Sequence, residues 1–291
     1  MSPKSMYTRS QTNWSASKSN TAARRVEKDL RCWGFPACWR DQPQVSHSLS
    51  NRRQVVRRHE HLYGDPVDLG LSGRVAVVVG GTGYIGSAVA DRLRAEGATV
   101  LTASRSGGDV RIDGADQASV EAGVAKVLQE HGRVDVLVVT AAPPANTIDP
   151  SSLSDPDTVL DAVGAKAMTF LRLAQAVLPT MRAAGHGRVV AVSGQNAYFT
   201  GNIVGSVRNA SLIVAAKNLA DEHAGSGVTV NVVNPGTVVD DPSTEVAPAR
   251  GGESSPAQIA ALVAFLASDD AAAISGESIS TGHKVRGIAT T

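Results

Sequence analysis

Residues 71–291 predict an α/β fold, a three-layer doubly wound parallel sheet, and three observations carry that expectation. Apolar β-branched runs alternate with amphipathic helical stretches along the whole segment. A glycine-rich turn joins the first such run to the first helix. The residues before position 71 are a different kind of sequence, which marks a boundary.

The elements follow in order. Arg74–Val79 is a continuous β-branched run, as in a strand buried on both faces. After the glycines, Ser87–Glu96 is amphipathic and Gly97 stops it. Ala98–Ala103 reads as a strand, Gln117–His131 as a helix and Val134–Thr140 as a buried strand. Asp157–Ala184 reads as one long helix with Pro179 near its end. Gly187–Ser193 (strand), Ile203–Ala224 (helix), Val228–Val233 (strand), Pro256–Ser268 (helix) and the short strand Glu277–Ser280 complete the series. Such alternation implies right-handed crossovers and a sheet covered on both faces, with ligands bound beyond the carboxyl ends of the strands.

Composition sets bounds. With 42% apolar and 19% charged residues in 291, the chain can bury a sizeable core. No apolar run approaches the roughly 18–20 residues that span a bilayer, so no membrane segment is expected and a cytoplasmic location is. The net charge of +1 argues for neither a nucleic-acid nor a membrane partner.

That charge is unevenly spread. Residues 1–70 hold 12 of the 28 Lys and Arg and 6 of the 27 Asp and Glu, so the remainder is acidic. All three Trp (Trp14, Trp33, Trp39) and both Cys (Cys32, Cys38) fall there too. Two cysteines without a second pair or a spaced His are weak evidence for a disulfide or a metal site, and no metal site is expected. Residues 1–26 contain no acid and resemble a transit peptide. A disordered basic extension over 1–70, or translation that starts later, accounts for the same composition and is preferred. The pairs Arg52-Arg53 and Arg57-Arg58 read as a solvated cluster rather than a nucleic-acid site.

The first strand runs into Gly80-Gly81-Thr82-Gly83-Tyr84-Ile85-Gly86 and then a helix. Glycines allow a tight turn and let the backbone approach a pyrophosphate, while the helix start offers free N–H groups and a positive dipole end. The strand–turn–helix context is what this fingerprint requires.

With that loop the segment resembles the short-chain dehydrogenase/reductase family, and the resemblance covers nearly all of residues 71–290. The family's usual loop is Thr-Gly-x-x-x-Gly-x-Gly. Here Tyr84 stands at the middle glycine, a spacing closer to the family's extended branch. The resemblance implies a Rossmann fold and a nicotinamide cofactor. The end of the second strand, which would face the adenosine ribose, carries Ser104-Arg105-Ser106 and no acid. Arg105 suits a 2′-phosphate, so NADP(H) is expected over NAD(H). Asp113 falls where the family's Asp accepts from the adenine amino group. Thr140-Ala141-Ala142 takes the place of Asn-Ala-Gly. Between Arg105 and Asp113 there is no room for the family's usual helix.

The catalytic positions depart from the pattern. The family uses a Tyr as acid or base, a Lys four residues later that lowers its pKa, a Ser on the preceding strand that holds the substrate oxygen, and an Asn on the long helix. The segments Ala210–Glu222 and Gly227–Gly236 match without gaps, and counting back puts the Tyr position at Gly205 and the Lys position at Asn209. The Asn position falls at Gly164 or Lys166, depending on a two-residue slip. Ser193 survives, with its register uncertain by one residue. Tyr198, five residues on, is the candidate for a relocated acid, or else a pocket wall. Lys166 and Arg208 are expected on the surface, and Lys217 outward. Pro235-Gly236 forms the turn beside the nicotinamide, with Thr237 or Asp240 in place of the family's Thr. The Pro-, Gly- and Ser-rich stretch Asp240–Ser255 reads as an open or mobile lid.

Three function classes stay open: an NADP(H)-preferring oxidoreductase acting on a small carbonyl or alcohol, a catalytically inactive dinucleotide-binding protein, and a nucleic-acid-associated protein using the basic arm. The two long helices match the pair through which family members form dimers or tetramers, so a homo-oligomer is implied.

Overall fold

The computed structural model describes residues 68–142 and 148–287. The expectations for the basic extension, its cysteines and its arginine pairs lie outside the described residues. Among the described residues no helix is long and apolar enough to cross a membrane, and no group of three or more His, Cys, Asp or Glu could hold a metal ion.

The elements run β1 (Val75–Val79), α1 (Tyr84–Ala95), β2 (Thr99–Ser104), β3 (Val110–Arg111), α2 (Gln117–His131), β4 (Val136–Val139), α3 (Pro156–Val163), α4 (Thr169–Ala184), β5 (Gly187–Val192), α5 (Ile203–Glu222), β6 (Val228–Pro235), β7 (Thr237–Val238), β8 (Glu253–Ser254), α6 (Pro256–Ala267) and β9 (Ser278–Thr281). Seven strands form one sheet in the order β3-β2-β1-β4-β5-β6-β9, and every pairing in it is parallel. The chain order reverses between β1 and β4, so their carboxyl ends flank a crevice.

Strand alternation builds the three layers. Val75, Val77 and Val79 of β1 face the core shared with α2, α4 and α5, while Ala76 and Val78 face the core under α1 and α6. All five are buried, which is why the run carries no polar residue. Each buried valine stabilises the fold by roughly 1.5–3 kcal/mol before entropy is counted.

Two features differ from the sequence expectation. No helix separates β2 from β3, as foreseen, but Val110–Arg111 adds a short edge strand of its own. The single helix expected over Asp157–Ala184 is instead α3 and α4 joined by a π-helical turn, Gly164–Met168. A π turn inserts one residue into the ladder and rotates the side chains that follow, and such turns gather at functional sites.

Candidate functional site

The cofactor side is built by three strand ends. Gly80 follows β1 at φ +85° and donates its N–H to Ala103 O of β2. Gly83 caps α1 with no side-chain hydrogen bond, so first-turn N–H groups are left for an anion. Gly86 lies so close to the turn that a Cβ there would sit 2.1 Å from Gly80 O. A cavity of about 300 Å³ opens beyond this turn. The loop contributes Gly80, Thr82 and Gly83 to it, β2 and β3 contribute Ser104, Arg105 and Asp113, and β4 contributes Thr140, Ala141 and Ala142. Ala165 and Thr169, which the sequence did not single out, close it from the π turn and α4. The cradle and the uncapped helix start fit a dinucleotide pyrophosphate.

Tyr84 and Ile85 fall beside this cavity rather than in it. Ile85 packs on the core under α1, and Tyr84 donates its hydroxyl to Asp240 Oδ1. That carboxylate raises the Tyr84 pKa by accepting the phenol's hydrogen bond. Ser104 Oγ donates to Gly107 O at 2.6 Å and accepts from Gly107 N at 2.9 Å, which commits it within its own turn. Asp109 turns back onto Thr102, whose N–H and Oγ1 both donate to it and hold its carboxyl below the usual range. Arg105 and Arg111 are left flanking an open hollow together with Ser106, Gly107 and Gly108. Neither arginine has an ion-pair partner among the described residues.

A second cavity, of about 510 Å³, lies beyond β5 and β6. The 3-10 turn Gln195–Tyr198 and the start of α5 wall it on one side through Gln195, Asn196, Phe199, Asn202 and Ser206. Gly236, Thr237 and Arg250 wall the other. Pro235 is the last residue of β6, paired with Thr281. Gln195 is buried, donates to Thr281 O and His283 O at 3.1 Å each, and leaves its Oε1 without a partner among the described residues. Tyr198 turns the other way. Its hydroxyl meets Ser278 Oγ at 3.0 Å, Lys284 lies over its ring, and it lines neither cavity.

Between the two cavities sits a polar cluster that corrects the sequence reading. Lys166 and Arg208 were expected on the surface, but each is only 5% exposed. Lys166 lies within the π turn, on the buried stripe that continues through Phe170, Leu173 and Val177. Its Nζ donates to Ser193 O at 2.9 Å and to Asn209 Oδ1 at 2.6 Å. Ser193 Oγ donates to Asn209 O at 3.0 Å, with Asn209 Oδ1 at 3.3 Å. Asn209 Nδ2 donates to Gly205 O at 2.8 Å. Burial, assisted by the nearby Arg208 charge, lowers the Lys166 pKa to about 7. Gly205 supplies only backbone here, and Asn202 Oδ1 accepts its N–H as the cap of α5. Ser193 and Tyr198, the two catalytic candidates, share no hydrogen-bond partner among the described residues.

The stretch Asp240–Ser255, expected as an open lid, is tied at its base. Thr237-Val238 pairs in parallel with Glu253-Ser254. Ser243 N donates to Glu253 Oε2 at 2.9 Å, and Asp240 holds Tyr84 across the groove. The composition suggested mobility, and the pairing of its two ends removes part of it.

A family model described as enoyl-(acyl carrier protein) reductase matches residues 82–282. The chain is 31% identical over 245 residues to the 3-oxoacyl-(acyl-carrier-protein) reductase FabG of Escherichia coli (strain K12), covering 72% of this chain and 96% of that protein. It is 34% identical over 244 residues to D-threitol dehydrogenase of Mycolicibacterium smegmatis, covering 72% and 91%. Among solved structures, one described as ribose-5-phosphate isomerase from Brucella melitensis 16M matches with a TM-score of 0.65 and 26% identity over 73% of this chain and 92% of that one. The crystal structure of gox2181 matches at 0.62 and 24% identity, over 73% and 95%, which speaks to the fold.

Proposed function

The chain belongs to the short-chain dehydrogenase/reductase family, and on that footing we propose that it is an NADP(H)-preferring oxidoreductase acting on a small carbonyl or alcohol. The observation that carries this reading is the dinucleotide cradle: a tight glycine turn, an uncapped helix start and an adjoining cavity lined from three strand ends. NADPH, when bound, supplies a hydride. The chain's own residues then bind, orient and compensate charge. Arg105 and Arg111, exposed and without an ion-pair partner among the described residues because Asp109 on the same turn is engaged by Thr102, suit a 2′-phosphate. Ser193 holds the substrate oxygen at the inner wall, and the cavity beyond β5 and β6 receives the rest of the substrate. Tyr198 remains the proton-donor candidate of the sequence reading. Its engagement with Ser278 favours a structural role.

The experiment has two arms. Titration of NADPH and NADH by protein fluorescence should show NADPH tighter by about tenfold, a difference of about 1.4 kcal/mol. Equal affinities would remove the NADP(H) preference, and no binding would remove the whole reading. Turnover of NADPH against a panel of small aldehydes and ketones is the second arm. Binding without turnover would favour the second reading, an inactive dinucleotide-binding protein, which Gly205 and Asn209 at the Tyr and Lys positions support.

We further propose that a second copy covers the helix pair. Leu160 of α3 and Val207 and Val214 of α5 are exposed apolar side chains on the two helices through which relatives assemble. Val214→Arg should shift the sedimentation of a dimer or tetramer towards the monomer, and an unchanged profile would place the interface elsewhere.

A further inference from the structure

Two residue types have changed places across this site. The family carries an Asn on the long helix and a Lys on the helix that follows β5. Here Lys166 stands at one of the two positions the register allows for that Asn, and Asn209 stands at the position of that Lys. The two side chains are bonded to each other, Nζ to Oδ1 at 2.6 Å.

We propose that Lys166 and Asn209 are a transposed pair, and that Lys166 is the positioning residue that brings to Ser193 and the inner end of the dinucleotide groove the positive charge its relatives bring from the opposite helix. The proposal rests on the oxidoreductase reading above. Three observations support it. Lys166 lies within the π turn on the stripe that continues through Phe170 and Leu173, and its ammonium is buried against Ser193 O and Asn209 Oδ1. Ala165 and Thr169, one and three positions away in sequence, line the dinucleotide cavity, so Lys166 stands directly behind the cofactor's own wall. Burying an ammonium is costly, and a methionine would fill the same volume at no such cost.

The chemistry that remains is electrostatic. A hydride added to a carbonyl carbon forms the C–H bond there and leaves the π pair on oxygen. An oxygen held at Ser193 Oγ develops that charge beside the Lys166 ammonium, and water in the cavity supplies the proton that completes the alcohol. Lys166 occupies Asn209 Oδ1, so Ser193 Oγ makes only a long 3.3 Å contact to that atom and keeps its 3.0 Å bond to Asn209 O, which a substrate oxygen would have to replace. The groups facing Nζ are Arg208 and Asn209 from α5 and Ser193 from the end of β5, of which Arg208 is charged. With a pKa of about 7, the Lys166 charge is present below neutrality and lost above it.

The test compares the natural chain with K166M, K166N and the exchange variant K166N/N209K. Each is melted to establish folding, then titrated with NADPH between pH 5.5 and 9.5 and assayed for turnover. The natural chain should bind NADPH about fivefold more weakly once the pH passes 7, the scale of one screened charge interaction. K166M should be weak at all pH values and flat, and the exchange variant should recover what K166N loses. The proposal is overturned if folded K166M keeps the natural affinity and pH profile, or if folded K166N/N209K is no better than K166N. Should both single variants fail to fold, the exchange variant decides. A folded, binding exchange variant supports the charge, and an unfolded one assigns Lys166 to packing. A natural chain that binds no dinucleotide removes the oxidoreductase reading itself, an outcome distinct from a natural chain that binds as K166M does.

Discussion

The two edges of the sheet are built by opposite rules. At the amino edge, charges are stitched together. Asp135 accepts from Val75 N at 2.8 Å and from the Arg133 guanidinium, with Arg74 at 3.8 Å. Arg188 donates to Ser268 O at 3.1 Å and Gly227 O at 3.0 Å and pairs with Asp269. At the carboxyl edge, glycines replace side chains, two cavities open, and Gln195 Oε1 is left without a partner among the described residues. One edge pairs its charged groups, although His186 Nε2 and Thr229 Oγ1 there are left without a hydrogen-bond partner among the described residues. The other leaves polar capacity beside open cavities, and the cavities mark the functional side.

Gly86→Ala sets a Cβ against a backbone carbonyl that cannot step aside. It should abolish measurable NADPH binding in a fluorescence titration and cost about 1–3 kcal/mol in denaturant unfolding. NADPH binding at natural strength would show that the turn opens more easily than its geometry implies.

Asp135→Ala, at the other edge, leaves Arg133 and Val75 N without their partner. It should cost about 3 kcal/mol in urea unfolding while cofactor affinity stays as it was. Loss of affinity at equal foldedness would mean that the edges are coupled.

Lys166 brings a charge penalty to the carboxyl edge. Its pKa is about 7 in the fold against 10.5 for an ordinary lysine. Between those values the unfolded chain binds the extra proton, so stability rises with pH across that window. The penalty is present in full below about pH 7. Lys166→Met should flatten this slope and raise stability near pH 7 by on the order of 3 kcal/mol. Parallel slopes for both forms would show that Lys166 keeps an ordinary pKa.

Smaller effects separate the residues around the cavities. Arg105→Ala should weaken NADPH by about tenfold and leave NADH unchanged. An equal loss for both would assign Arg105 to the shared part of the cofactor. Tyr198→Phe should change turnover less than about threefold, given its bond to Ser278, whereas loss of a general acid costs about 10²–10⁴. A loss in that range would restore Tyr198 as the relocated acid.

The legible parts of the site share one property: their signal is local. The Gly80–Gly86 turn sits between a β-branched run and an amphipathic helix, and the absence of an acid at Ser104–Ser106 can be read without knowing the fold. Gly205 and Asn209 were found by counting along a gapless segment. The cluster of Lys166, Ser193 and Asn209 was not legible in that way, because its members lie 27 and 43 positions apart and meet only through packing. One signal was available. Lys166 falls on the same helical stripe as Phe170 and Leu173, which are buried. A long cation on an apolar stripe is a candidate for burial, but periodicity alone cannot tell a snorkelling lysine from a buried one.

The amino-acid sequence by itself determined the layered parallel sheet, because strands buried on both faces must be apolar throughout and the helices covering them must be amphipathic. It also determined the place of the dinucleotide turn, which needs glycine for reasons of space. The tertiary structure alone decided which cation reaches the chemical centre. The packing of α5 sets Asn209 against Lys166, and the end of β5 brings Ser193 O to it. Both depend on contacts between distant segments, which no local pattern encodes.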